Sequence, residues 1–358
     1  ITEGTKPGLG RVTCQYRNRC MRGCPYGAYF SSNSSTLPAA EATGNMTLMP
    51  NSIVHEIIYD EENKKAKGVR VIDAENNQSY EYYAKVIFLC SSTVGSTSIL
   101  MQSKSNRFPN GMGNDSGELG HNIMDHHFQV GASGTFKGFK NKTTFGRKPA
   151  GFYIPRFRNI GGITDRKDYI RGYQYQGGAN RGFMSIADSK EELVSYGPRF
   201  KENIVKKDEW TASMTGFGEI LPYHDNKMTL NYDKKDQWGL PTVTFDAKIR
   251  ENEITMRKDM KIQAEEMLER SGFKDVYGNE SKYVFGNGIH EMGTARMGND
   301  PKTSVLNGNN QIHDVKNVYV TDGACMTSAG NQNPSITYMA LTARAAKHAV
   351  DELNKQNI

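Results

Sequence analysis

Cysteine is scarce in this chain, and long apolar runs are absent. Five cysteines in 358 residues exclude a disulfide scaffold. No run reaches the ~18 apolar residues that a membrane span needs, so no direct membrane span is expected. The net charge is +6, but lysine and arginine are scattered among the acids, without the basic stripe of a nucleic-acid binder; the surplus fits an acidic redox partner at most. The opening "ITEGTKPGLG" has no initiator Met, basic n-region or apolar h-region, so no targeting peptide is read there, and the chain reads as starting within something longer. There is no internal repeat and no low-complexity tract. What is left, 37% hydrophobic and 23% charged residues, is a globular composition, and 358 residues exceed what one hydrophobic core usually serves, so two domains are expected.

The few cysteines are concentrated. Cys14, Cys20 and Cys24 stand at C-x5-C-x3-C spacing in "CQYRNRCMRGCP". The residues admit three readings: a disulfide with a spare thiol, a zinc site, or an iron-sulfur cluster held by three thiolates. A structural zinc would want a fourth ligand, and no His or Cys occurs in the thirty residues after Cys24. Pro25 follows the last cysteine, as is common in cluster loops. Arg17, Arg19 and Arg22 interleave the thiols, where their charge would offset that of a cluster.

Downstream, β-branched runs around Ile53–Ile58, Val69–Ile72 and Tyr80–Leu89, separated by Asp, Asn and Gly clusters, predict an antiparallel meander. The end of the last run, "KVIFLC", is continuously apolar, as a strand covered on both faces would be. "SSTVGSTSILMQS" predicts a small-residue turn opening a helix, a place where backbone N–H groups face a pyrophosphate. From about 128 to 220, alternating aromatic and polar residues with many glycines predict a sheet-rich second domain, continued as a hairpin by "NKMTLNYDKKDQWGLPTVTF". A helix is predicted over 252–271, with Met256, Met260, Ala264, Met267 and Leu268 on its packing face and Gly272 ending it. A last helix is predicted from Pro334, with Asn333 as its cap. Its Ile336, Met339, Ala340, Ala343, Ala346, Val350 and Leu353 recur at helical spacing and predict one face packed on a core.

"HEMGTARMG", then "VYVTDG", then "NQNPSIT" opening the last helix, preceded by "TGNMTLMPNSIVHEI", "VIFLCSSTVGSTSIL" and "NDSGELGHNIMDHH", is an order of motifs that resembles the glucose-methanol-choline (GMC) flavin oxidoreductases over nearly the whole chain. The resemblance implies an α/β (α+β) fold: a partial FAD-binding Rossmann-like domain, residues 1–127 and 285–358, joined to an antiparallel-sheet substrate-binding domain, 128–284. It implies FAD as cofactor, with His290 accepting the substrate hydroxyl proton while hydride passes to the flavin, and Asn333 as the second polar group on the same oxygen. An alcohol carbon gives up hydride only as its oxygen gains alkoxide character, so a base lowers the barrier and a second donor fixes the oxygen. Carried over by position, Asp322 and Gly323 would meet the ribityl and pyrophosphate groups, and the backbone of Val54 the adenine. The turn at Ser91 and Ser92 would lie nearby. Asn333, Pro334 and Ser335 would open the last helix near the pyrimidine end of the flavin, where the helix dipole favours the negative charge of the reduced ring. By themselves the residues also allow a buried core histidine at 290 and a plain cap at 333. His126 and His127 are read as structural at the junction of the domains; His55, His224, His313 and His348 are read as ordinary.

One family feature is lacking. No strand, G-x-G-x-x-G turn and helix is found; "GLG" at Gly8 has neither the preceding strand nor the third glycine. The part holding the ADP half of FAD is therefore expected on another chain or to have been lost by truncation. Within the family, bacterial FAD-dependent sugar dehydrogenases of the glucose, glucoside 3- and gluconate 2-dehydrogenase type share the C-x5-C-x3-C spacing. There it carries a [3Fe-4S] cluster that relays electrons to a multihaem cytochrome. This likeness implies Cys14, Cys20 and Cys24 as cluster ligands, a sugar or polyol substrate, a small chaperone-like subunit and a cytochrome c subunit as partners, and a bacterial periplasmic or membrane-associated location. Two further readings stand beside it: an oxygen-using GMC oxidase without a cluster, and a non-catalytic fragment without FAD.

Overall fold

The computed structural model describes residues 11–17, 20, 23–142, 151–181, 197–198, 201 and 209–358. Arg19 and Arg22 of the cysteine segment, and Gly8, lie outside the described residues. A short helix α1 (Thr36–Glu41) leads into strands β1 (Ser52–Asp60), β2 (Lys65–Asp73) and β3 (Ser79–Tyr83), which form the expected antiparallel meander. Its turns are made by short polar side chains. The Asp60 carboxylate accepts the N–H groups of Glu62 and Asn63, and that of Asp73 accepts the N–H of Glu75.

The third apolar run divides. "KVIFLC" does not extend β3 but forms β4 (Ile87–Leu89), which pairs in parallel with β12 (Val318–Val320) and feeds helix α2 (Ser92–Gln102). Ile57, Leu89, Leu100, Phe108, Val318 and Val320 bury into one core between these elements.

A second core lies under a five-stranded antiparallel sheet of β5 (His126–Phe136), β6 (Gly151–Ile154), β7 (Tyr173–Asn180), β8 (Trp210–Glu219) and β11 (Lys274–Glu280), in the order β11-β5-β8-β7-β6. Helix α3 (Glu251–Arg270) crosses one face, burying Met256, Met260, Ala264 and Leu268 against Val130, Ala132, Tyr173, Tyr175 and Met214. Each large apolar side chain so buried stabilises by about 1.5–3 kcal/mol, so the helical spacing of the methionines is what holds α3 to the sheet. Asp259 of α3 adds a polar anchor: it accepts from Arg158 at 2.9 and 3.0 Å, Tyr169 at 2.7 Å and Tyr173 at 2.6 Å. The hairpin β9 (Lys227–Lys235) and β10 (Pro241–Asp246) is a separate two-stranded sheet, tied by the Met228 N–H to the Gly120 carbonyl rather than to the five-stranded sheet.

A bulge in β5 decides what the free face of the large sheet presents. Between His127 and Val130 the pairing with β8 slips, and Gln129 takes a left-handed φ of 63°. The extra residue puts Val130 and Ala132 on the α3 side while His126 and Phe128 stay on the other, beside Phe217. Gln174 and Gln176 alternate with the core tyrosines of β7 and so share that second face.

The last helix, α4 (Ser335–Asn354), departs from expectation. Pro334 occupies its N-cap in place of Asn333, and the apolar stripe faces outward: Ile336, Met339 and Val350 are 78%, 46% and 55% exposed. Ala345 and Ala349 on the opposite side are buried against Tyr319. Their small side chains let the helix approach the ring, which the larger residues of the stripe would prevent.

Candidate active site

Around the junction of β5 with the preceding loop, the chain builds a carboxylate hub. Asp125 is fully buried, and its Oδ1 accepts the N–H groups of His126 at 2.7 Å and His290 at 3.2 Å. Its Oδ2 accepts the Tyr283 hydroxyl at 2.9 Å and the N–H groups of Gly286 at 3.1 Å and Gly288 at 2.9 Å. A buried charge is tolerated only when so paired, and these five donors saturate it while fixing the loop that carries His290. Gly288 is required in that loop: a Cβ there would lie 2.2 Å from the His126 carbonyl oxygen and 2.3 Å from the Asp125 Oδ1.

His290 is thereby held against residues from two other segments. Its Nδ1 lies 2.9 Å from the Nδ1 of His126, and its Nε2 lies 3.4 Å from the Nδ2 of Asn333. Asn333 Oδ1 accepts from Gln176 Nε2 at 2.7 Å. The Asn333 amide is therefore occupied by the sheet and the imidazole, which is why it makes no cap for α4. Burial holds the His290 pKa below its ordinary value against the opposing pull of Asp125, so the ring is neutral at neutral pH and able to take a proton. His126 is pushed down to about 4, chiefly by burial.

Beside His290 opens a cavity of about 270 Å³ whose lining includes Ser92, Asp322, Gly323, Pro334 and Ser335. The residues singled out from sequence thus converge here, with Val54 and Ser91 on an adjoining cavity. Ser92 is held at a left-handed φ of 69°. Asp322 accepts from Ser96 Oγ at 2.5 Å and from the Ala324 N–H at 2.9 Å, and burial raises its pKa. Pro334 and Ser335 bring the N-terminal end of a twenty-residue helix to the wall, where its dipole favours negative charge. One observation fits a bound polar group: the buried Tyr338 hydroxyl on this wall has no hydrogen-bond partner among the described residues. Gly323 admits no side chain, because a Cβ there would run into Thr93 Oγ1, the Glu291 carbonyl oxygen and the Tyr338 oxygen, so its backbone packs directly on these neighbours.

Cys14, Cys20 and Cys24 stand apart from this cavity. All three are free and partly exposed, and among the described residues no group of three or more His, Cys, Asp or Glu side chains could hold a metal ion. As placed, the thiols do not form a cluster's ligand set. Backbone N–H groups, that of Tyr26 first, hold the Cys24 thiol below its ordinary pKa.

Sequence reasoning passed over Asp125, Gln176, Thr93 and Tyr338, and read His126 as structural at the domain junction, where the structure puts its ring against His290. The "DHH" triplet was the one available signal, since consecutive His residues at a strand entrance place one ring on each sheet face. Gln176 had none, being one of several polar residues in an alternating strand.

The chain is thus a mixed α/β protein with several antiparallel sheets, and its cavity lies between the start of α2, the loop carrying His290 and the N-terminal end of α4. Solved structures of that fold include a variant of formate oxidase from Aspergillus oryzae, with a TM-score of 0.62 at 15% identity over 90% of this chain and 64% of that one. Pyridoxine 4-oxidase from Mesorbium loti gives a TM-score of 0.55 at 14% identity, over 88% and 60% of the two chains. The family models described as GMC oxidoreductase match residues 11–128 and 222–342, and the chain belongs to the GMC oxidoreductase family. Curated relatives include 2-methyl-1,2-propanediol dehydrogenase of Mycolicibacterium austroafricanum, 28% identical over 96% of this chain and 61% of its own length. The fructose dehydrogenase large subunit of Gluconobacter japonicus is 25% identical over 98% of this chain and 62% of its own length. The gluconate 2-dehydrogenase flavoprotein of Pantoea cypripedii is 24% identical over 88% of this chain and 52% of its own length. The chain thus spans between half and two thirds of the length of these relatives.

Proposed function

We propose that this chain is the greater part of the catalytic subunit of an FAD-dependent dehydrogenase that oxidises an alcohol of a sugar or related polyol. The observation that carries the reading is the pair of groups beside the cavity, His290 Nε2 and Asn333 Nδ2, 3.4 Å apart, one a neutral base and the other a donor. An alcohol oxygen between them would give its proton to His290 Nε2 while accepting from Asn333 Nδ2, so charge developing on the oxygen is met as it forms. FAD, when bound, supplies the two-electron acceptor for the hydride. Gly323, Asp322, Ser92 and the start of α4 would hold it, with Val54 and Ser91 toward its adenine half. The domain division at 127/128 and 284/285 belongs to the same reading, and the two separate hydrophobic cores support it.

The sugar part of the reading is supported by relatives named as fructose and gluconate dehydrogenases. A [3Fe-4S] cluster on Cys14, Cys20 and Cys24 is supported by the spacing and the family branch that shares it. As placed, the three thiols do not form its ligand set. A cytochrome c subunit, a small chaperone-like subunit and a periplasmic or membrane-associated location follow from the same branch; among the described residues no helix is long and apolar enough to cross a membrane. A relative named paromamine 6'-oxidase, 25% identical over 96% of this chain, favours the oxidase reading as the alternative.

The test is kinetic. His290→Ala in the FAD-loaded, full-length protein should slow flavin reduction by sugar about 10²–10⁴-fold; near-normal reduction would sink the assignment. Oxygen uptake against reduction of an artificial acceptor separates oxidase from dehydrogenase. Cys20→Ser should leave flavin reduction intact and slow transfer to a cytochrome, and unchanged transfer would count against the cluster.

A further inference from the structure

We propose that His126 is a positioning residue that sets the tautomer of His290, keeping the His290 Nε2 lone pair free for the substrate proton; this rests on the role of His290 proposed above. The inference follows from which atoms can donate. His126 Nε2 meets the Gly330 carbonyl, which can only accept, so Nε2 carries the hydrogen. Burial keeps the ring neutral, so its Nδ1 is a bare lone pair. That lone pair faces His290 Nδ1 at 2.9 Å, a contact two lone pairs cannot make, so the hydrogen of neutral His290 sits on Nδ1. His290 Nε2 is then bare, and it is the nitrogen turned to Asn333, on a residue that lines the cavity.

The opposite end accommodates this. Gln176 donates to Asn333 Oδ1, which leaves Nδ2, a donor, facing His290. The Gln176 and Asn333 amides can turn over together, Gln176 then accepting from Asn333 Nδ2 while Asn333 Oδ1 faces His290, so this contact follows the tautomer and the contact from His126 selects it. The other groups facing the imidazole pair are the Asp125 carboxylate, which takes the backbone N–H of both residues, and the Phe217 ring, at 6.5 Å from His126 and 6.3 Å from His290. In the reaction the substrate O–H bond breaks, the N–H bond forms at His290 Nε2, and the hydrogen on His290 Nδ1 stays there, still donated to His126 Nδ1, so no second proton moves. The role parallels that of the orienting member of a hydrolase triad, filled here by a neutral ring instead of a carboxylate.

Nitrogen NMR of full-length, FAD-loaded protein labelled with 15N in the histidine rings tests this without relying on turnover, because protonated and bare ring nitrogens are resolved. His290 signals are identified by their loss in His290→Gln. In the unmodified protein His290 should carry hydrogen on Nδ1. In His126→Leu it should move to Nε2, with flavin reduction slowed about 10²–10⁴-fold, as for a misoriented general base. His126→Gln, which keeps a donor for Gly330 but loses the acceptor, should behave like His126→Leu. His126→Asn, whose Oδ1 falls where Nδ1 lies, should keep the Nδ1 hydrogen and recover roughly tenfold or more of the lost rate. An Nδ1-protonated His290 in His126→Leu or His126→Gln overturns the proposal, as does a His126→Asn protein with the hydrogen on Nε2. If His290→Ala proves fully active, the base assignment fails while the tautomer result is still read on its own.

Discussion

Replacing Asp125 by Asn should loosen the loop that carries His290. The substitution keeps shape and removes one acceptor. If the amide oxygen takes the place of Oδ1, the NH₂ group faces the N–H groups of Gly286 and Gly288; if it is flipped, the NH₂ faces those of His126 and His290. Either way two buried backbone donors are stranded, while the Tyr283 hydroxyl can rotate to accept. Each stranded donor costs about 1–3 kcal/mol, roughly 2–6 kcal/mol for the pair. Spent on local opening, that free energy lowers amide protection across 283–290 by roughly 30-fold to 3 × 10⁴-fold, which hydrogen exchange read by mass spectrometry measures peptide by peptide. Peptides from the meander β1–β3, which share no bond with Asp125, should exchange as before. Flavin reduction should fall with the loop, because a base misplaced by an ångström costs up to ~10²-fold. Unchanged exchange at 283–290 together with unchanged reduction would refute the reasoning.

Other consequences are equally concrete. Gln176→Leu frees the Asn333 amide, and the loss of one hydrogen bond worth about 0.5–1.5 kcal/mol should lower the flavin-reduction rate about 2–13-fold with little change in KM; an unaltered rate would mean the amide is held by something else. Gly323→Ala drives a Cβ into Thr93 Oγ1 and the Glu291 carbonyl, and overpacking of about 1–3 kcal/mol should lower thermal stability, read by a melt; an unchanged melt would contradict the tight packing. For Asp259, burial alone would raise the carboxyl pKa, but the donors from Arg158, Tyr173 and Tyr169 outweigh it and hold it below the ordinary 3.8. Its contribution is therefore present above pH 3.8 and lost as pH falls through the lower folded value. Asp259→Ala should cost about 3–5 kcal/mol at neutral pH in urea unfolding, with the gap from the unmodified protein closing in strong acid; a gap constant with pH would count against an ionised Asp259.

Where a pattern is confined to one element, it was legible before the fold. The β-branched runs with Asp and Asn turns gave the meander, and the methionine spacing gave α3 within a residue of its observed ends. His290, Asn333, Asp322 and Gly323 were singled out through the order of their motifs, and the structure brings Asp322 and Gly323 to the cavity lined by His290, with Asn333 beside the imidazole. Reading failed where a neighbour decides. The α4 stripe was a correct helical pattern assigned to the wrong surroundings, and Asn333 was assigned to a cap because the sequence does not show that Gln176 and His290 compete for its amide.

By itself, then, the sequence determined the element types, the order of motifs and the family, because periodicity and turn chemistry act over a few residues and survive any arrangement of the rest. Only the tertiary structure decided how the base is wired. His126 and His290 are 164 positions apart and Gln176 and Asn333 are 157 apart, and a one-residue bulge in β5 sets which histidine of "DHH" meets the site. Contacts of that separation depend on the path of the whole chain, and a slip of one residue in a strand sends a side chain to the other face.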